Sequence, residues 1–266
     1  MKAHRIRVHL ICLVATLSAA TALAAGGDAP KYDPRDGIIH LYGAGGPHTA
    51  LIRVGKLFTK QTGIPVEVTF GPESKWTKAA QRNADIIWGT SEQAMTAFLE
   101  TYKEFKSEEV EPIYISRAVI AVQKGNPKGI KGFDDLLRAG MKIVVTEGAG
   151  VYNTSGTGVW EDVAGRLGSL NDVKDFRKNI VAFSKGSGAG FQAFKELGAD
   201  AWMTWIFWPL AHPKDADIVE LSPERVIYRD LNIVTNEKAD PQTAEFITFL
   251  KGKEAYEIFK SEGWSK

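Results

Sequence analysis

Ile38-Ile39-His40-Leu41-Tyr42-Gly43-Ala44-Gly45-Gly46-Pro47-His48-Thr49 is the stretch on which the fold turns. Residues of β type run from Ile38 to Tyr42 into a cluster of glycines. Pro47 then stands where a helix can begin, because the N–H it lacks would be unpaired in the first helical turn anyway. A strand that feeds a helix through a tight glycine turn is half of a βαβ unit. The same transition recurs downstream. Val66 to Phe70 passes through Gly71-Pro72-Glu73-Ser74 into a helical pattern from about Lys75, and Asp85 to Trp88 passes through Gly89-Thr90-Ser91-Glu92.

The second half repeats the alternation. A helix is expected near Phe133 to Leu137, a strand from Lys142 to Thr146, a helix from about Gly156, a strand from Ile180 to Phe183 and a helix from about Ser187. Strand-like runs at 201–205 and 218–221 follow, and two helices close the chain, the first introduced by Asp240-Pro241. Alternating β and α predicts an α/β fold with a parallel or mixed sheet covered by helices on both faces. Two β-type stretches are longer than the rest, around 113–122 and around 224–234, the second with its strand-like run from Val226 to Val234. With no long linker and no internal repeat, they are the natural crossovers between two lobes. The expected boundaries are 38–115 and 224–266 for the first lobe and 116–223 for the second, with a hinge and a cleft between them. Trp202, Trp205 and Trp208 read as core or interface aromatics on a strand running into a turn.

The N-terminus sets the compartment. Lys2, Arg5 and Arg7 precede an apolar run from Leu10 to Leu17, and small residues end at Ala24, so residues 1–24 have the three parts of a secretory signal. The run is too short to span a bilayer, so no membrane insertion is expected after cleavage. Residues 25–37 read as an extended leader. Removing three of the 33 basic residues leaves 30 against 32 acidic ones, which gives no electrostatic footprint for nucleic acid or a membrane surface. The one cysteine, Cys12, lies inside the signal, so the mature chain has neither disulfide nor thiol chemistry.

Anion affinity must then come from local geometry. The Gly45-Gly46-Pro47-His48 turn offers free backbone amides at a helix start. Ser74 and Ser91 stand at two further strand-to-helix junctions as caps or ligands, with Thr90 beside the second and Lys75 adding a positive charge to the first. The densest supply of neutral donors is Asn153-Thr154-Ser155-Gly156-Thr157, set among glycines before an amphipathic pattern. Ser184 and Ser187 flank another such junction. At the crossovers, Ser116-Arg117 and Tyr228-Arg229-Asp230 place arginines where a carboxylate or phosphate could be gripped. Arg117 and Tyr228 are the candidates chosen there.

Catalysis finds less support. After the signal only His40, His48 and His212 remain, none at zinc-ligand spacing, and the G-x-S-x-G elbow is absent. No metal and no cofactor is expected. A hydrolase of phosphate esters acting through His48 is the alternative from another class.

The segments Tyr42 to Leu51, Phe70-Gly71-Pro72, Ser91-Glu92-Gln93, Gly148 to Asp162 and Val226 to Asp230 resemble the accessory colonization factor AcfC family of type II periplasmic binding proteins. The resemblance runs from about Ile38 to Trp264. It implies two α/β lobes closing on an organic anion such as citrate or a phosphoglycerate, with no chemistry performed. It further implies a periplasmic location, an ABC-type permease as the usual partner and a homodimer, with a sulfate- or molybdate-type oxyanion as the alternative ligand. Ala44 stands where that pattern has proline, which leaves the loop amides in place but less rigidly held.

Overall fold

In the computed structural model, which describes residues 32–147 and 158–266, the first half runs β1 (Ile39–Gly43), α1 (His48–Thr62), β2 (Val66–Phe70), α2 (Thr77–Asn83), β3 (Ile86–Gly89) and α3 (Glu92–Thr101). A single long strand, β4 (Glu111–Gln123), leads to β5 (Ile143–Thr146), α4 (Val159–Gly165), α5 (Leu170–Lys178), β6 (Ile180–Ser184), α6 (Ser187–Glu196), β7 (Ala201–Trp205), α7 (Phe207–Ala211) and β8 (Ala216–Val219). Then β9 (Tyr228–Thr235), α8 (Thr243–Leu250), α9 (Lys253–Ser261) and β10 (Trp264–Ser265) complete the chain. The segment expected to be a signal, the expected leader up to Lys31 and the Asn153 to Thr157 candidates lie outside the described residues.

Strands are ordered β2-β1-β3-β9-β4-β7-β5-β6, with β8 and β10 also pairing to β4. β1, β2 and β3 are parallel to one another, and so are β5, β6 and β7, whereas β9 runs antiparallel to both β3 and β4. Each trio therefore has the order second-first-third, with its opening strand in the middle. β4 serves both. Its residues up to Arg117 pair with β9 and β10, and from Ala118 onward they pair with β7 and β8.

Every central strand is buried on both faces. Leu41, Ile86 and Trp88 pack under α1, α8 and α9, while the alternate residues Tyr42 and Ile87 pack with Trp76, Phe98 and Tyr102 on the other side. In the second trio Ile143, Val145 and Met203 face Trp160 and Phe176, and the alternate Val144 and Trp202 face Phe194 on α6. Strands covered on both faces read as near-continuous apolar runs, which is why the sequence locates them closely.

Some expected boundaries move. The helix expected from Lys75 is a single 3-10 turn, Glu73–Lys75, followed by α2, and the helix near Phe133 is also 3-10. Pro241 precedes the first turn of α8, whose N-cap is Gln242. The return strand begins at Tyr228, two residues later than expected. Residues 32–37, expected to belong to a leader, are bonded to the fold: the Tyr32 hydroxyl donates to the Ala84 carbonyl at 2.6 Å, and the Gly37 amide donates to Asp240 at 2.9 Å.

Candidate functional site

A cleft of about 880 Å³ lies where the carboxyl ends of the parallel strands meet. After β1 come Ala44, Gly45 and Gly46, after β2 Gly71 to Ser74, and after β3 Thr90. The second trio contributes Glu147 after β5, Lys185 to Ala189 after β6, and Phe207 and Trp208 after β7. Open α/β sheets bind ligands outside these ends because the helix N-termini gather there. Gly46 has φ +97°, and a Cβ on it would lie 3.1 Å from the Phe207 ring, so the turn is open to glycine alone without rearrangement.

The N-termini of two longer helices, α1 and α6, abut the cleft without a side-chain cap, as does that of the five-residue α7. Pro47 at α1 and Gly186 at α6 accept no amide through a side chain, and neither helix has an acidic residue in its first turn. Helices α3 and α5 contrast with them. Ser91 accepts from the Ala94 amide at α3, Ser169 accepts from the Asp172 amide at α5, and both helices carry an acidic residue in the first turn. Uncapped amides at the positive end of the helix dipole form a standing site for negative charge.

The floor is a cross-strand row. Ser116 on β4 lies opposite Arg229 on β9 and opposite Trp264 on β10, so the three side chains share one face, and all three line the cleft. Arg117 and Tyr228 form the next pair along and project to the other face, because side chains alternate. Arg117 is accordingly engaged elsewhere, in two hydrogen bonds to Glu220 of 2.9 and 2.7 Å, which raise its own pKa and lower that of Glu220. Tyr228 lines a smaller pocket of about 400 Å³ with Asp162, Arg166 and Arg229.

The other candidates divide as follows. Gly45, Gly46, His48, Ser74 and Ser187 line the cleft, and Pro47 is the buried N-cap behind them. Ser74 caps no helix. Lys75 is exposed and outside the lining, and Ser91 is buried as the α3 cap. Residues that sequence reasoning passed over or ranked low are Arg229, Lys185, Glu147 and the aromatic wall of Trp205, Phe207, Trp208 and Trp264. Their signal was positional: all but Arg229 and Trp264 stand at or just after the ends of β5, β6 and β7.

Electrostatically the lining is balanced, with Lys185 and Arg229 against Glu73 and Glu147. Burial raises the Glu73 pKa. Burial also lowers the His48 pKa, with Glu262 pulling the other way, and the ring stacks on Phe70 at 3.9 Å. Four cleft-lining residues hold a buried polar atom that makes no hydrogen bond among the described residues: His48 Nδ1, Ser116 Oγ, Trp208 Nε1 and Trp264 Nε1. The two indole N–H groups can only donate, the serine hydroxyl can donate or accept, and His48 Nδ1 does either according to its tautomer, so all four are open to an acceptor-rich ligand. Among the described residues no group of three His, Cys, Asp or Glu is placed to hold a metal, and no helix is long and apolar enough to cross a membrane.

Residues 39–265 match the family model for bacterial extracellular solute-binding proteins. The chain belongs to that family. Among solved structures, Peb3 from Campylobacter jejuni is 43% identical, with a TM-score of 0.80 over 86% of this chain and 99% of that one. A crystal structure of PEB3 with bound L-phospholactate is 44% identical, with a TM-score of 0.81 and the same coverage. The molybdate-binding protein of Azotobacter vinelandii shares the fold at 16% identity and a TM-score of 0.61, over 86% of this chain and 99% of that one. No curated protein matches the chain. The AcfC-like recognition and the type II periplasmic-binding fold expected from the sequence both stand.

Proposed function

We propose that this solute-binding protein captures a small organic anion carrying carboxylate or phosphate, holding it between the α1 and α6 N-termini over the Ser116 floor. The observation that carries the reading is that two uncapped, acid-free helix starts reach one cleft from two separate strand trios. Acceptor oxygens on the ligand would satisfy those amides, and small turns of the buried donors would bring them into play. A cleft of about 880 Å³ falls in the roughly 300–1,000 Å³ range that suits organic ligands and exceeds what a bare tetrahedral oxyanion fills. L-phospholactate, bound by the PEB3 relative, has this chemistry.

The two trios are the two lobes of the reading, with boundaries near residues 115 and 223, and β4 and the 220–228 return are the hinge. Closure is driven by the ligand's higher affinity for the closed arrangement. Gly45, Gly46, His48, Ser74, Ser187 and the Asn153 to Thr157 segment are the proposed contacts, and Lys75, Ser91, Arg117 and Tyr228 are assigned supporting positions outside the cleft. The protein would act in the periplasm after signal cleavage, deliver to an ABC-type permease, work as a monomer or homodimer, and release its ligand unchanged.

Calorimetry with L-phospholactate, 3-phosphoglycerate, citrate, sulfate and molybdate tests the reading, alongside native mass spectrometry of protein purified without added ligand. The expected result is saturable binding of at least one organic anion and weaker binding of the oxyanions. Binding of oxyanions alone, or steady release of phosphate from the phosphorylated ligands, would overturn it.

A further inference from the structure

Arg229 faces two ways. It lines the cleft in the row with Ser116 and Trp264, and it also lines the small pocket with Asp162 and Arg166. Its Nη2 donates to Asp162 at 2.8 Å, and Asp162 belongs to α4, which packs on the second strand trio. The ion pair thus ties β9 to α4. Both side chains remain accessible to water, 34% and 51% exposed, so the pair is weak and replaceable. It supplies one hydrogen bond at good distance, whereas the planar guanidinium can offer two parallel N–H groups to a carboxylate or phosphate.

The remaining anion-binding elements lie on other walls. The α1 start follows β1, and the α6 start with exposed Lys185 follows β6, while Arg229 stands on the floor. Among the described residues Lys185 makes no ion pair, so Arg229 is the cleft cation already provided with a carboxylate.

We propose that Asp162 occupies the place of a ligand carboxylate or phosphate on Arg229. An anionic group of the ligand exchanges with Asp162, which passes to water, while the ligand's other anionic group sits at the helix N-termini. The cleft thereby selects anions charged at both ends over those charged at one. This inference rests on the organic-anion reading above.

Calorimetry compares L-phospholactate, charged at both ends, with methyl phosphate, charged at one, on the wild type, Arg229→Gln, Arg229→Lys and Asp162→Asn. Arg229→Gln is expected to weaken L-phospholactate binding by roughly 10- to 100-fold and methyl phosphate binding by about twofold or less. Arg229→Lys, which keeps the charge but not the fork, falls between and serves if the glutamine variant does not fold. Asp162→Asn leaves L-phospholactate binding unchanged or tightens it. Wild-type affinity in both Arg229 variants, or a loss in Asp162→Asn equal to that in Arg229→Gln, overturns the exchange and leaves the organic-anion reading intact. A wild type that binds no organic anion defeats both.

Discussion

Replacing Ser116 by alanine should move stability and binding in opposite directions. The residue is 3% exposed, and its hydroxyl makes no hydrogen bond among the described residues. A buried hydroxyl left unpaired costs about 1–3 kcal/mol. Alanine removes that cost and forfeits only the dispersion contacts of one oxygen, each about 0.1–0.2 kcal/mol. The net gain is about 1 kcal/mol, which for a chain of this size raises Tm by roughly 2–4 °C. With ligand bound, a turn about the Ser116 side-chain bond brings the hydroxyl onto an anionic oxygen, and a hydrogen bond to a charged group is worth about 1.5–3 kcal/mol. Ser116→Ala should therefore weaken L-phospholactate binding by roughly 10- to 100-fold. Scanning calorimetry of the ligand-free protein reads the first quantity and titration calorimetry the second. A variant that melts lower than the wild type and binds equally well would refute the reasoning, because the hydroxyl would then serve the fold and not the ligand.

Two further perturbations probe the frame around the cleft. Arg225 is buried: it donates to the Val163 and Ala164 carbonyls at 3.1 and 3.4 Å, pairs with Asp172, and lies 4.1 Å over the Phe133 ring. Arg225→Met keeps much of the volume but strips those groups of their donor, and urea unfolding should show a loss of about 3–5 kcal/mol; a loss below about 1 kcal/mol would contradict the assignment. Asp85 is fully buried and accepts the His40 and Asp240 amides at 2.8 and 2.7 Å, yet burial raises its pKa from 3.8 to about 6. Between those values the folded chain keeps a proton that the unfolded chain has lost. Its contribution is thus fully present below pH 3.8 and falls by about 3 kcal/mol as pH rises to 6. Urea midpoints from pH 4 to 7 should show the stability gap between the wild type and Asp85→Asn narrowing with pH; a widening gap would rule this out.

Much of the fold was legible because its strands are buried on both faces. Ala201 to Trp205, buried throughout, is a strand over the range read from sequence; so is the partly exposed edge strand Val66 to Phe70, and α6 begins at Ser187 as expected. Short 3-10 turns and the two-residue β10 escaped, since three or two residues carry no period. At the site, the glycine turn at Gly45 and Gly46 was legible from composition. Choosing between neighbours was not. Each of Arg117 and Arg229 stands on a crossover in sequence and Arg117 was the one chosen, yet Arg117 pairs with Glu220 away from the cleft and Arg229 lines it. Likewise Ser74 reaches the lining and Lys75, one residue on, does not.

The sequence by itself determined the α/β class, the alternation of elements and the near balance of basic and acidic residues, because these follow from local periodicity and composition. Tertiary structure decided that the two strand trios share one second-first-third order without detectable sequence repetition, and that Ser116, Arg229 and Trp264 form a single row. The physical reason is register. Side chains alternate across a strand, so a shift of one residue reverses every face, and that register is set by pairing between segments more than a hundred residues apart.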